Sequence, residues 1–308
     1  MLTLSFDEVS ASWKRELKQY VSPSSYATYT ALLDKHILPG FGPERTIGES
    51  QVQAFVVSKT AEGLSAATVR HLVLVLKMVM RHGADLGVWD FPRWHIRYPQ
   101  ARGAPLVQLV SGDDCRKLLR YAQQRPSAKS FGICICLTTG IRIGELCALT
   151  WDDMDLAAQE LHVRKTYSRI YTPELQKHTS LHMGAPKTGT SVRDIPLTKP
   201  LCRLAERIRA DSPPGTYILS GTDKPVEPRS YRNYYKALLS ELEIPQVKFH
   251  ALRHSFATRC IEASCDYKTV SAILGHSNIS TTLNLYVHPG MKQKKDCIDK
   301  VVGYISGS

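Results

Sequence analysis

Apolar positions recur at helical spacing along most of the chain and at strand spacing in one stretch only. Among the first 97 residues a helix is predicted from Ser22 to His36, after a Pro/Ser cap region and broken by Pro39-Gly40-Phe41-Gly42-Pro43. A second starts near Gly48-Glu49-Ser50 and turns Val52, Phe55 and Val56 inward, and a third starts at the N-cap Ser65 and runs to about Gly83. From Trp89 to Pro105 no period holds, which predicts a linker. Ser111-Gly112-Asp113-Asp114 reads as a helix start, with the acidic residues where the helix dipole favours them, and helices continue to Leu149. Residues 155–197 change character: Leu161-His162-Val163 and Val192-Arg193-Asp194-Ile195 alternate, with turn signals between them. Helical spacing returns over 200–210, 229–243, 249–263, 267–274 and 278–286. The expected fold is therefore mainly α with a small antiparallel β-sheet, an α+β chain. Its expected parts are a helical domain over 1–97, a linker over 98–106 and a larger domain over 107–308.

Composition narrows the class. A hydrophobic share of 43% and a charged share of 22% fit a globular protein. No apolar run reaches membrane length and MLTLSFDEVS lacks the look of a signal peptide, so a cytoplasmic protein without membrane contact is expected. The eight cysteines have no paired ligand spacing; reduced thiols are expected, with Cys134-Ile135-Cys136 in the core and no metal site. The net charge of +12 favours a polyanionic partner. It is uneven: residues 1–97 hold 11 Lys+Arg against 9 Asp+Glu, net +2, and the rest hold 29 against 19, net +10. On the third helix Arg70, Lys77 and Arg81 fall within about 20° of one direction at 100° per residue, by itself a solvated face, and a candidate stripe for DNA backbone only in view of the neighbouring domain.

The residue types that could cleave a phosphodiester without a metal are all present. Guanidinium groups suit the nonbridging oxygens, imidazole exchanges protons near neutrality, and lysine can act as an acid. A tyrosine hydroxyl, with an ordinary pKa of roughly 10, needs positive surroundings to become a nucleophile. Arg142 follows the glycine of Thr139-Gly140-Ile141 at a helix start, with Glu145 three residues on. Lys187, in Pro186-Lys187-Thr188-Gly189-Thr190, is expected at the tip of a β-hairpin. His250 and Arg253 share a helical face, His276 follows Gly275 at a helix end, and Tyr286 lies ten residues further.

TGIRIGELCALTW, PKTGTSVRDIPL, HALRHSFATR and LGHSNISTTLNLY resemble the signature boxes of the tyrosine recombinase (phage integrase) family. The likeness is close over about 105–290. The first 97 residues resemble more loosely that family's helical, SAM-like core-binding domain, especially in mobile-element integrases. The resemblance implies that Arg142 and Arg253 clamp the scissile phosphate and Lys187 protonates the departing 5′ oxygen. It implies that His250 exchanges a proton with the tyrosine, and that His276 hydrogen-bonds a nonbridging oxygen. Glu145 would support this set and Tyr286 would form a 3′-phosphotyrosine. The resemblance implies no cofactor or metal: the family is metal-independent, and exchanging one phosphodiester for another of similar energy needs no ATP. The implied partners are double-stranded DNA with specific core sites, a homotetramer on paired sites working through a Holliday junction, and an excisionase-type accessory protein.

Two readings remain beside the recombinase: a type IB topoisomerase-like enzyme with the same chemistry, and a non-catalytic DNA-binding protein of the same fold. Cys265 stands where the family commonly has glycine, so strain is expected there if the backbone needs positive φ. After Pro289-Gly290, residues Cys297, Ile298, Val301, Val302 and Ile305 predict an amphipathic tail that either packs in cis or docks on a second protomer; the family resemblance favours docking in trans.

Overall fold

The computed structural model describes residues 4–91, 93–99, 108–172, 179–186, 189–209, 212–280, 282–283 and 291–306. It divides into two compact units: one holds residues 1–105 with 169–180, the other 106–168 with 181–308. The described helices and two small antiparallel sheets agree with the α+β expectation.

The first unit begins with α1 (Phe6–Tyr20), a helix outside those predicted from the sequence. Its start is nonetheless written in the sequence as a capping box: Ser5 accepts from the Glu8 amide, and the Glu8 carboxylate accepts from the Ser5 amide at 2.7 Å. Phe6, Val9, Trp13 and Leu17 form its buried stripe. α2 (Pro23–Leu32) follows a Ser22 cap, but Pro39 and Gly40 do not break it where expected. The chain widens into a π-helical turn over Leu33–Ile37 and continues as α3 (Leu38–Phe41). Proline is tolerated there because it occupies a first-turn position, where its missing N–H costs no helical bond. Phe41 then sits edge-on to both Phe6 and Phe55, at 6.4 and 5.1 Å between centroids.

α4 (Glu49–Ala61) turns Val52, Phe55 and Val56 inward, and α5 (Ala66–Asp85) is capped by Ser65, both as the sequence pattern predicts. The segment after α5 is not a free linker through residue 98. Trp89 Nε1 donates to the Met80 carbonyl at 2.8 Å, Trp94 is buried, and the Gln53 side chain exchanges two hydrogen bonds with the Arg97 backbone. A single side-chain amide thus satisfies both backbone groups of Arg97.

In the second unit α6 (Gly112–Gln124) starts at Ser111, whose hydroxyl accepts from the Asp114 amide. α7 (Ala128–Thr139) is buried on nearly all sides and forms the centre of the core; Cys134 and Cys136 lie within it as packing residues. Trp151 stacks on Phe131 at 5.9 Å. Next in chain order come α8 (Ile143–Ala148) and the strands β1 (Met154–Asp155), β2 (Glu160–Val163), β3 (Thr166–Tyr171), β4 (Thr179–Gly184) and β5 (Arg193–Pro196), of which residues 169–180 in β3 and β4 belong to the first unit. They form two sheets rather than one: β1-β2-β5, and β3-β4. The register pairs Leu161 with Ile195, His162 with Asp194 and Val163 with Arg193. Leu161, Val163 and Ile195 therefore face the core together, and Arg193 shares that face.

α9 (Lys199–Arg209), α10 (Pro228–Glu241), α11 (His250–Glu262) and α12 (Tyr267–Leu274) complete the packing. The turn after α11 corrects one expectation. The positive φ, 60°, belongs to Ser264 and not to Cys265. Ser264 N–H bonds the Ile261 carbonyl and Cys265 N–H bonds that of Cys260, so Ser264 is the left-handed residue of a Schellman turn. α13 (Met291–Ser306) leaves Ile298, Val301, Val302 and Ile305 exposed, at 52–78% of their surface.

Candidate active site

The site grows from two helix ends in the second unit. α7 stops at Gly140, with φ of 66°, and a Cβ there would meet Phe256 and Leu274 side-chain carbons at 2.5 and 2.7 Å. Only glycine combines that backbone with that packing. Its carbonyl accepts from Nη1 of Arg253 at 2.9 Å, and Arg253 is buried on α11. α12 stops the same way at Gly275, also with φ of 66°. The Gly275 carbonyl accepts from Nη2 of Arg142 at 3.1 Å. Each of the two predicted clamp arginines is thus aimed by the carbonyl of a left-handed helix-ending glycine. A fixed acceptor on one edge removes rotamer freedom that a long side chain otherwise retains.

Arg142 is the N-cap of α8, and Glu145 closes the cap. The Glu145 carboxylate accepts from the Arg142 amide at 2.9 Å and from its Nη1 at 2.8 Å. The carboxylate is almost wholly buried, which favours its neutral form. Arg193 and Arg142 outweigh that and hold the Glu145 pKa below the usual carboxylate value. Arg193 is the residue that sequence reasoning missed. Its guanidinium spans both Glu145 oxygens, at 3.0 and 3.3 Å, while further donors bond the Ile273 and Ser191 carbonyls. A signal for it existed: period-two alternation back from Leu197 and Ile195 puts residue 193 inward and leaves Val192 outside, where it is 44% exposed. An arginine at an inward strand position requires a buried carboxylate.

His250 begins α11 and His276 follows Gly275. Burial pushes the His250 pKa down to about 4, with His254, Arg253 and Arg142 adding to the effect. Burial does the same to His276, also to about 4, reinforced by Arg253, Arg142, Arg193 and His250. Both imidazoles are neutral at pH 7. His254 meets the His250 ring edge-on at 4.5 Å. Nδ1 of His276 lies 2.8 Å from the hydroxyl of Thr282, which is completely buried. With that hydroxyl donating to Nδ1, the imidazole keeps its proton on Nε2 and offers a donor to an anion.

Five predicted residues therefore converge: Arg142, Glu145, His250, Arg253 and His276. Tyr286 and Lys187 lie outside the described residues. In chain order Lys187 falls between β4 and β5. Arg70, Lys77 and Arg81 belong to the other unit, on one face of α5, with Arg70 over the Tyr98 ring at 5.4 Å and Arg81 over Phe91 at 3.7 Å. Among the described residues no cluster of His, Cys, Asp or Glu could hold a metal ion, and no helix is long and apolar enough to cross a membrane.

Comparison with known proteins places this arrangement. Residues 108–293 match the model of the phage integrase family, and residues 5–55 that of the phage integrase N-terminal SAM-like domain. A tyrosine recombinase XerC-like protein of Caldanaerobacter subterraneus subsp. tengcongensis is 26% identical over 272 residues, 81% of this chain and 69% of that protein. The transposase from transposon Tn916 of Enterococcus faecalis is 27% identical over 190 residues, 56% of this chain and 45% of its own length. The fold is also that of the Tn1549 transposon integrase, solved in complex with a circular intermediate DNA. That likeness has a TM-score of 0.77 at 20% identity, covering 97% of this chain and 99% of the other. A lambda integrase tetramer bound to a Holliday junction gives 0.65 at 16% identity, over 93% and 78%. With the family model covering more than half of the sequence, the chain belongs to the phage integrase family and is a tyrosine recombinase, a site-specific DNA strand transferase.

Proposed function

We propose that the protein integrates or excises a mobile element by cutting and rejoining DNA through a 3′-phosphotyrosine and a Holliday junction. The observation that carries this reading is the cationic cluster of half-buried Arg142 with buried Arg253 and Arg193, with Glu145 as the carboxylate bonded within it, beside two neutral imidazoles. A phosphodiester supplies the negative charge such a cluster lacks. Its nonbridging oxygens accept from Arg142, Arg253 and Nε2 of His276, and these bonds strengthen as charge builds on those oxygens around the pentacoordinate phosphorus. The Tyr286 oxygen forms a bond to phosphorus while the bond to the 5′ oxygen breaks. His250 accepts the phenolic proton, and Lys187 delivers a proton to the departing 5′ oxygen. Attack by a second 5′ hydroxyl reverses the step on a new partner, so no external energy source is consumed.

The partners proposed are duplex DNA with core sites, three further copies of the chain, and an excisionase-type protein that biases direction. Arg70, Lys77 and Arg81 supply phosphate contacts, which position the protein without reading bases. The exposed apolar residues of α13 support docking of the tail on a neighbouring protomer. The mobile-element role draws on the transposon names among the relatives.

The test is a nicked suicide substrate carrying the element's end. Covalent protein–DNA adduct with the wild-type chain and none with Tyr286→Phe is the expected result. No adduct with any core site overturns strand transfer through tyrosine, and adduct with Tyr286→Phe moves the nucleophile elsewhere. For Lys187→Ala, a sulfur in place of the bridging 5′ oxygen restores cleavage, because thiolate leaves without a proton. Absence of rescue assigns the acid to another group.

A further inference from the structure

We propose that Arg193 is a positioning residue for strand cleavage, acting by holding Glu145 so that Arg142 stays available to the phosphate. The inference rests on the strand-transfer reading above. Glu145 is shared between two guanidiniums. Arg193 grips both carboxylate oxygens, bonds the Ile273 and Ser191 carbonyls as well, and is buried. Arg142 takes one oxygen through Nη1 and has a side chain still 38% exposed. The two arginines therefore divide the work: one satisfies the carboxylate, the other faces the open side.

Without Arg193 a buried Glu145 has Arg142 as its one remaining guanidinium. A buried carboxylate missing a partner draws the remaining cation into a closer, two-pronged pair. That motion takes Arg142 away from the phosphate and from the Gly275 carbonyl. Arg193 also underlies the second anchor. Its Cδ and Nη1 lie 3.1 Å from where a Gly275 Cβ would stand, and it bonds Ile273 two residues earlier, so it forms the floor beneath the turn that leads to His276. One side chain from β5 thereby ties α8 to the end of α12.

The experiment measures single-turnover adduct formation and DNA affinity for the wild type, Arg193→Gln, Arg193→Lys, Arg142→Ala, Arg193→Gln/Arg142→Ala and Arg193→Gln/Glu145→Gln. All measurements are made below each variant's melting temperature. Arg193→Gln is expected to slow cleavage about 10- to 100-fold, the scale of an ångström-sized misplacement, with DNA affinity within about threefold. Arg193→Lys fails similarly, because an ammonium cannot span two oxygens. The discriminating result is non-additivity: the Arg193→Gln/Arg142→Ala pair cleaves within about threefold of Arg142→Ala alone, since the same contact is already lost. Arg193→Gln/Glu145→Gln, which removes the buried charges together and folds for that reason, cleaves at least about fivefold faster than Arg193→Gln.

Multiplicative losses in the pair with Arg142→Ala overturn the proposal, as does an unrescued Glu145→Gln double variant or an unaltered Arg193→Gln. If the wild type itself forms no adduct, the strand-transfer reading fails first; adduct from the wild type with additive losses removes only the role of Arg193.

Discussion

The two units handle positive charge in opposite ways. On α5, Arg70 and Arg81 are exposed and rest on aromatic rings that leave the guanidinium edges to solvent. In the second unit Arg253 and Arg193 are buried, Arg142 is half-buried, and each is tied to a backbone carbonyl. A solvated cation attracts phosphate at long range but leaves its geometry loose and its energy screened by salt. A desolvated, anchored cation costs folding energy, yet it meets a developing charge without reorganising. Surface arginines set affinity; buried arginines set rate.

The largest separation of these roles is expected from Arg253→Ala. Removing a preorganised donor costs about 100- to 1,000-fold in cleavage. It should also lower the melting temperature, because the Gly140 carbonyl loses its partner. Suicide-substrate kinetics and thermal denaturation check the two effects. Cleavage within threefold of wild type would place the clamp elsewhere.

Next is Gly275→Ala. A left-handed backbone costs an L-residue roughly 1–2 kcal/mol, and the new methyl presses on Arg193. Stability and cleavage should fall together while DNA affinity holds, as measured by denaturant melts and gel shifts.

The pH dependence follows from the histidines. His250 and His276 titrate near 4 when folded and near 6.5 when unfolded, so the unfolded chain binds more protons between these values. Stability is complete above about pH 6.5 and is lost progressively as pH falls towards 4. His250→Gln and His276→Gln should each flatten that slope in urea melts at pH 7 and 5. Unchanged slopes would show that other groups govern the acid limb.

Thr282→Val keeps the volume and removes the hydroxyl, freeing the His276 tautomer; a slowing of about tenfold in cleavage is expected, the lower end of a lost hydrogen bond to a reacting group. The smallest effects belong to α5. Arg70→Ala, Lys77→Ala and Arg81→Ala should each weaken DNA binding a few-fold, reduce the salt slope by about 1, and leave the cleavage rate at saturation unchanged. A rate effect without a salt effect would erase the contrast between the units.

Local signals explain what was legible. Ser65 and Ser111 cap helices because a hydroxyl beside an apolar period has little else to do, and Leu161 and Ile195 announce their shared face by alternation. The break expected at Pro39 fails because proline's position within the turn, not its presence, decides whether a bond is lost. At Cys265 the family resemblance pointed one residue too far along, since the register of the Schellman turn depends on where α11 ends.

The sequence alone determines which chemical groups exist and in what order: two arginines, two histidines, a lysine and a tyrosine in four boxes of the phage integrase type. It carries the helices, their caps and the strand phase, all of which are set by neighbours a few residues away. Tertiary structure decides what each arginine faces. That Arg253 answers to Gly140, Arg142 to Gly275 and Arg193 to Glu145 depends on contacts 48 to 133 residues apart in the chain. Burial then silences both imidazoles at neutral pH, an effect of desolvation and summed charge that belongs to the packed site.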